Sequence, residues 1–117
     1  MLFPMYDYLE IFITQGCLFQ NEKILKVDQT RPTESSVELF KKYAEFFADF
    51  CNYQEGLVGE DQYIMACAVV GYTRKYMGVA IIWTHEMIVL TDCQFSQIKK
   101  VFDHIESIYS RNFPEHA

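Results

Sequence analysis

The adjacent residues His85 and Glu86 are the first place where the residue types could support chemistry. In zinc-dependent hydrolases the motif H-E-x-x-H places two histidines one helical turn apart, so that both bind the metal while the glutamate acts as a base. The second histidine would be residue 89, which is Val89 in this chain. The motif is therefore incomplete, and the pattern favours a histidine in the first turn of a helix over a metal ligand.

The histidines and cysteines are spread along the chain without the spacing of a metal site. They are His85, His104, His116, Cys17, Cys51, Cys67 and Cys93. No C-x-x-C pair is present, so neither a tetrahedral zinc site nor a disulfide framework is indicated. The sequence leaves open a cysteine–histidine nucleophile pair that meets only in space. Cys51 and Cys67 lie on apolar stripes, however, where a reactive thiolate is disfavoured.

The carboxylates and glycines likewise show no catalytic pattern. Glu10, Glu45, Asp49 and Asp103 fall on the polar faces of predicted helices, where a solvated surface role is expected. The glycines Gly56 and Gly59 lack the lysine and the spacing of a phosphate-binding loop. We therefore expect no catalytic residue, no metal, no cofactor and no enzymatic activity.

The length and composition indicate a single domain with an acidic surface. The chain has 117 residues, of which 50% are hydrophobic, and a formal net charge of -6. Such a surface repels phosphates, which makes nucleic acid a poor partner. The basic pairs Lys41-Lys42, Arg74-Lys75 and Lys99-Lys100 are expected among acids or on solvated helix faces.

The chain also lacks the features of a membrane or secreted protein. Its longest apolar run, from Ile64 to Tyr72, is far shorter than the roughly 20 residues that cross a bilayer. The N-terminal residues lack the basic region of a signal peptide, and the cysteines lack a disulfide pattern, which is typical of a reducing compartment. We expect an intracellular protein of the nucleus or cytoplasm that binds no membrane.

The first predicted helix, from about Met5 to Thr14, is apolar on nearly its whole circumference. Only Asp7, Glu10 and Thr14 are polar. Such a helix must be covered on most sides, either by the core of its own domain or by a partner chain. We predict a partner-binding set on this helix that contacts a second chain or the rest of a larger protein. The set is Tyr6, Leu9, Phe12 and Ile13.

A second helix is predicted from a capping box at Ser35 and Glu38 to about Asn52. Two apolar stripes run along it at helical spacing, so it should pack on two sides. The first stripe contains Val37, Phe40, Ala44, Phe47, Ala48 and Cys51. The second contains Leu39, Tyr43, Phe46 and Phe50.

The segment from about Glu60 to Met77 predicts the central helix, because its middle is apolar all round and rich in small residues. Gly78 is a suitable C-terminal residue for it. A short helix should follow, capped by Thr84 and ending near Leu90. The last helix, from about Phe95 to Ser110, has a clear core face of Ile98, Val101, Phe102, Ile105, Ile108 and Tyr109.

This order of elements resembles the C-terminal, or second, cyclin box of the cyclin family. The residues that carry the resemblance are Ile24-Leu25-Lys26-Val27, Pro32-Thr33, Phe40, Tyr43, Ile64 to Ala68, Gly78, Trp83, Glu86 to Leu90, Thr91, and Ile98 to Ile108. The chain departs from the family at Asp61-Gln62, where a Pro-Ser step usually opens the central helix, and at Gln94, where Ser or Thr usually caps the last helix.

The resemblance implies an all-α, cyclin-like domain of about five helices around a central small-residue helix. Residues 31–117 would form this domain, and residues 1–30 would be an N-terminal helical segment, either the end of a first cyclin box or a partner-facing extension. The implied function is a non-enzymatic, regulatory subunit of a cyclin-dependent kinase. The alternative is a stand-alone adaptor or assembly subunit, as a homo- or hetero-oligomer, that activates no kinase.

Overall fold

The structure, a computed structural model, describes residues 4–14, 33–57, 59–79 and 81–112. Within these ranges it contains five α-helices and no strand. They are α1 (Pro4–Thr14), α2 (Thr33–Asn52), α3 (Gln62–Met77), α4 (His85–Thr91) and α5 (Phe95–Asn112), with a single 3-10 turn at Glu55–Leu57. The prediction of an all-α domain is confirmed.

Helix α3 is the centre of the domain and packs against α1, α2 and α5. Every residue from 65 to 74 is buried, which confirms the prediction of a central helix. Four of these ten residues have very short side chains: Ala66, Cys67, Ala68 and Gly71. Their short side chains let three neighbouring helices approach the axis of α3 from different sides.

The ends of α3 are fixed by two local signals. Asp61 is the N-cap, because its carboxylate accepts hydrogen bonds from the backbone amides of Tyr63 (2.8 Å) and Ile64 (3.1 Å). This cap sets the first helical residue at Gln62, slightly later than predicted. Gly78 closes the helix in the left-handed region with φ 85°, a conformation that costs glycine little.

Helix α2 starts earlier than the sequence predicts. It begins at Thr33, so Ser35 is inside the helix and does not mark its start. An N-cap residue needs a non-helical backbone, which is why the predicted capping box does not define this boundary. The C-terminal end at Asn52 is as predicted. One stripe is buried at Phe40, Ala44, Phe47, Ala48 and Cys51.

Helices α4 and α5 follow the predicted pattern closely. Thr84 caps α4, since its hydroxyl accepts a hydrogen bond from the amide of Met87 at 3.2 Å. Asp92 ends α4 with φ 58°. The predicted core face of α5 is buried at all six positions: Ile98, Val101, Phe102, Ile105, Ile108 and Tyr109.

Arg74 is the clearest error of the sequence prediction, which placed it among acids or on a solvated face. Its side chain has no exposed area. The guanidinium donates from Nε to the carbonyl of Ile82 (2.8 Å) and from Nη2 to the carbonyl of Ile81 (2.7 Å). A buried arginine must be hydrogen-bonded, and here those bonds hold the segment between α3 and α4 against α3.

Candidate functional site

Helix α1 carries the predicted partner-binding residues, and its orientation decides which of them face solvent. Met5, Leu9 and Phe12 recur at the spacing of one helix face and pack into the domain core. Leu9 is 2% exposed and Phe12 is 3% exposed. Tyr6 and Ile13 lie at the edge of this face and are half-buried.

Tyr6 joins α1 to α2 through polar contacts. Its hydroxyl donates to Oδ1 of Asp49 at 2.5 Å and accepts from Nδ2 of Asn52 at 2.7 Å. Burial and the neighbouring Asp49 carboxylate raise the pKa of Tyr6 above its usual value, because both disfavour a phenolate. The phenol therefore stays a neutral donor and fixes α1 against α2.

Tyr8 and Phe12 join α1 to α3 through one aromatic ring. Both rings meet Tyr63 edge to face, with centroid distances of 4.9 Å and 5.6 Å, a favourable arrangement for aromatic pairs. The Tyr63 hydroxyl donates to the carbonyl of Thr91 at 2.6 Å. Desolvation raises the pKa of Tyr63 to about 12. One side chain thus connects α1, α3 and the end of α4.

The side of α1 turned away from the core carries one apolar residue and two acidic residues. Ile11 is 50% exposed, and Asp7 and Glu10 beside it are exposed. Ile11 was not in the predicted set, although its position on the helix indicates that it is exposed. Met5, Leu9 and Phe12 recur every three to four residues and define the buried face, and Ile11 lies on the opposite side.

The four predicted residues therefore do not share one exposed face. Leu9 and Phe12 are core residues of this domain, while Tyr6 and Ile13 are at the boundary between core and solvent. Their contact with a second chain stays a prediction. A partner that binds the free surface of α1 would meet Ile11 and the parts of Tyr6 and Ile13 that remain exposed. We call these three residues the outer face of α1.

A second aromatic region lies at the outer side of α2. Phe46 is 44% exposed and stacks nearly parallel on Phe50, with 6.4 Å between ring centroids. Tyr109 of α5 meets both rings edge to face. Phe46 belongs to the second predicted stripe, which is only half covered by neighbouring helices. Phe46 and Phe50 thus join α2 to α5, while Tyr43 of the same stripe contacts Tyr76 of α3.

The residues considered for chemistry are separated in the structure. His85 and Glu86 are exposed at the start of α4, whereas His104 packs against the backbone of Gly56. Asp103 pairs with Lys99 at 2.6 Å. In residues 4–14, 33–57, 59–79 and 81–112, no group of three metal-ligating side chains is close enough to hold an ion.

The three described cysteines are buried, as their positions on apolar stripes predicted for Cys51 and Cys67. Desolvation raises the pKa of Cys51 to about 12, which disfavours a reactive thiolate there. Cys17 lies outside the described residues, as do the predicted segment at 21–27 and most of the predicted turn before α2.

Among the described helices, none is both long and apolar enough to span a membrane. Comparison with known proteins gives no match to any family model, curated protein or solved structure. The resemblance to a cyclin box therefore rests on the residue pattern of the sequence, and the structure supports its coarser element, an all-helical domain around a small-residue central helix.

Proposed function

We propose that this chain is a non-enzymatic protein-interaction domain of the cyclin-like type that acts as a regulatory subunit of a cyclin-dependent kinase. The observation that supports the proposal is the arrangement of α1, α2 and α5 around the small-residue helix α3. The resemblance to a second cyclin box implies helices packed around a small-residue central helix, which α2, α3 and α5 match, whereas α1 belongs to the N-terminal segment that lies outside the implied domain. Fold alone does not define a function, so the proposal also needs a surface that can bind.

The outer face of α1 supplies such a surface. Ile11 is half exposed on a helix whose opposite face is sealed in the core. Asp49 and Asn52 hold Tyr6 at the edge of this face, so a partner would meet a pre-ordered surface. Pre-ordering lowers the entropy cost of association.

The mechanism would be binding without chemistry. A packed helical block that binds one conformation of a kinase more tightly than another shifts the kinase toward that conformation. The size of the shift is set by the difference between the two affinities. No residue of this chain would then need to reach the kinase active site.

Light scattering on the purified 117-residue chain, alone and mixed with purified cyclin-dependent kinases, tests the proposal. On a size-exclusion column coupled to the light-scattering detector, a mixture with one of these kinases should elute as a complex with the summed molar mass. The activity of that kinase should also change with the amount of chain added. If every kinase elutes apart from the chain at micromolar concentrations, the regulatory role is wrong.

The second candidate is an adaptor or assembly subunit that uses the same fold. The half-exposed Ile11 and Phe46 favour it as much as they favour a kinase partner, because an exposed apolar side chain is equally suited to contact another copy of the chain. In the same experiment, a homo-oligomer that ignores every kinase would support the adaptor.

A further inference from the structure

Two thiols from distant parts of the sequence lie side by side in the structure. Cys67 is in the middle of α3 and has no exposed area. Cys93 is in the turn between α4 and α5, is 5% exposed, and is flanked by the exposed residues Asp92 and Gln94. A side-chain hydrogen bond from Cys67 acts on the Cys93 thiol, so the two thiols lie within hydrogen-bonding reach of each other.

Three further hydrogen bonds fix the turn that carries Cys93, and one of them comes from α3. Tyr63, one helical turn before Cys67, donates to the carbonyl of Thr91 at 2.6 Å. Trp83 donates from Nε1 to the carbonyl of Cys93 at 2.9 Å. The Thr91 hydroxyl accepts from the amide of Cys93 at 3.2 Å. The contact between the thiols is thus fixed by hydrogen bonds from several elements.

We propose that Cys67 and Cys93 form an oxidation site at which a hydroperoxide converts the two thiols into an intramolecular disulfide. The Cys93 sulfur attacks the peroxide, the O–O bond breaks, and a sulfenic acid forms as one water molecule is released. The Cys67 sulfur then attacks the Cys93 sulfur, the S–O bond breaks, and a second water leaves. Two thiols and one H₂O₂ give one disulfide and two waters.

The geometry assigns different roles to the two sulfurs. Cys93 is at the edge of the surface and meets the oxidant first, while Cys67 is beneath it and resolves the sulfenic acid. Burial raises the pKa of the Cys93 thiol, and the hydrogen bond from Cys67 opposes this effect. Little thiolate is present at neutral pH, so the reaction is slow compared with that of a dedicated peroxide-reducing cysteine.

The disulfide would tie the middle of α3 to the turn that begins α5. It would close a loop that contains the end of α3, the connecting segment 78–84 and all of α4. Cross-linking such a loop restricts the unfolded chain and stabilises the folded state. The thiols take no part in the proposed binding function, so the inference stands or falls separately from it.

The test uses the folded 117-residue chain carrying Cys17→Ser and Cys51→Ala, so that Cys67 and Cys93 are the remaining cysteines. Hydrogen peroxide at millimolar concentration, without denaturant, should lower the intact mass by 2 Da, and dithiothreitol should restore it. Peptide mapping should join the segments around residues 67 and 93, and the oxidised chain should melt at a higher temperature. The added variant Cys93→Ser should lose the 2 Da change.

Two results would overturn the proposal. One is oxidation that stops at added oxygen on single cysteines, with no loss of 2 Da. The other is a disulfide that forms only in denaturant. If the double variant does not fold, mapping of the oxidised native chain decides the question, since a disulfide between any other pair also contradicts it.

Discussion

Helices α1 and α3 are both apolar on nearly every side in the sequence, yet the structure treats them differently. Every residue of α3 from 65 to 74 is buried. In α1 the buried apolar residues are Met5, Leu9 and Phe12, while Ile11 is half exposed and Tyr6 is half-buried. Apolar composition therefore does not by itself determine how much of a helix is covered.

Side-chain size explains the difference. The middle of α3 contains Ala66, Cys67, Ala68 and Gly71, so neighbouring helices can pack closely on several sides at once. Helix α1 carries larger side chains and packs against the core with one face, which leaves its opposite face toward solvent. The comparison predicts that α3 is sensitive to added volume, and that α1 is sensitive on one face only.

The largest expected effect separates the two faces of α1. Leu9→Ala should lower the free energy of unfolding by about 2–5 kcal/mol, because it leaves a cavity beside α3. Ile11→Ala is the matched control on the exposed face and should cost at most about 1 kcal/mol. Urea unfolding followed by circular dichroism measures both. Equal losses would show that α1 does not dock as described.

The next effect compares two adjacent basic residues of α3. Arg74→Met should cost about 2–4 kcal/mol, since the buried guanidinium is lost and the partly buried carbonyls of Ile81 and Ile82 lose their donor. Lys75→Met removes a surface ion pair with Glu106 and should cost at most about 1 kcal/mol. Thermal unfolding of the two variants measures both losses. An Arg74→Met variant as stable as the native chain would disprove the structural role given to the guanidinium.

Added volume in α3 should have opposite effects at two sites. Ala68 has no exposed area, so Ala68→Leu should overpack the core and cost about 1–3 kcal/mol. At Gly71 an added methyl group would stand 3.5 Å from Ile98 and Trp83, an ordinary contact distance. Gly71→Ala should therefore raise stability by about 0.5–1 kcal/mol through helix propensity. Thermal unfolding of both variants provides the comparison; an unchanged melting temperature for Ala68→Leu would remove Ala68 from the central core.

The smallest effect concerns Tyr63, where α1 and α3 meet. Its pKa is raised from 10.0 to about 12 in the folded protein, so the folded state holds this proton more tightly than the unfolded state does. The contribution is complete below pH 10 and is lost as the pH rises from 10 to 12. Urea midpoints at pH 8, 10 and 11.5 should fall less steeply with pH for Tyr63→Phe than for the native chain. Parallel slopes would argue against the desolvation of the half-buried Tyr63 side chain.

Local signals in the sequence were enough to place most of the helices. Thr84 and Gly78 are caps whose chemistry is readable from residue type, and the spacing of Ile98 to Tyr109 shows which side of α5 is buried. The predicted start of α2 was wrong, because Ser35 resembles an N-cap but lies within a longer helix that begins at Thr33. At α3, Asp61 departs from the cyclin-box pattern in the sequence, yet its carboxylate is the N-cap of the helix.

The features that the sequence could not predict depend on contacts between distant segments. Nothing in the residues around Arg74 indicates that the carbonyls of Ile81 and Ile82 turn inward to meet it. The contact between Cys67 and Cys93 depends in the same way on how the turn after α4 folds back on α3. The exposed side of α1, by contrast, could be predicted from the helical spacing of Met5, Leu9 and Phe12. That spacing places Ile11 on the exposed side.

The most direct test of the proposed function compares the outer face of α1 with an exposed apolar site elsewhere. Val89 of α4 is 70% exposed and serves as the matched control for Ile11. The Kd for a cyclin-dependent kinase, measured by titration calorimetry, should rise at least about tenfold for Ile11→Asp, equivalent to about 1.4 kcal/mol, and stay unchanged for Val89→Asp. Identical affinities for the native chain and both variants would contradict a kinase-binding role for α1.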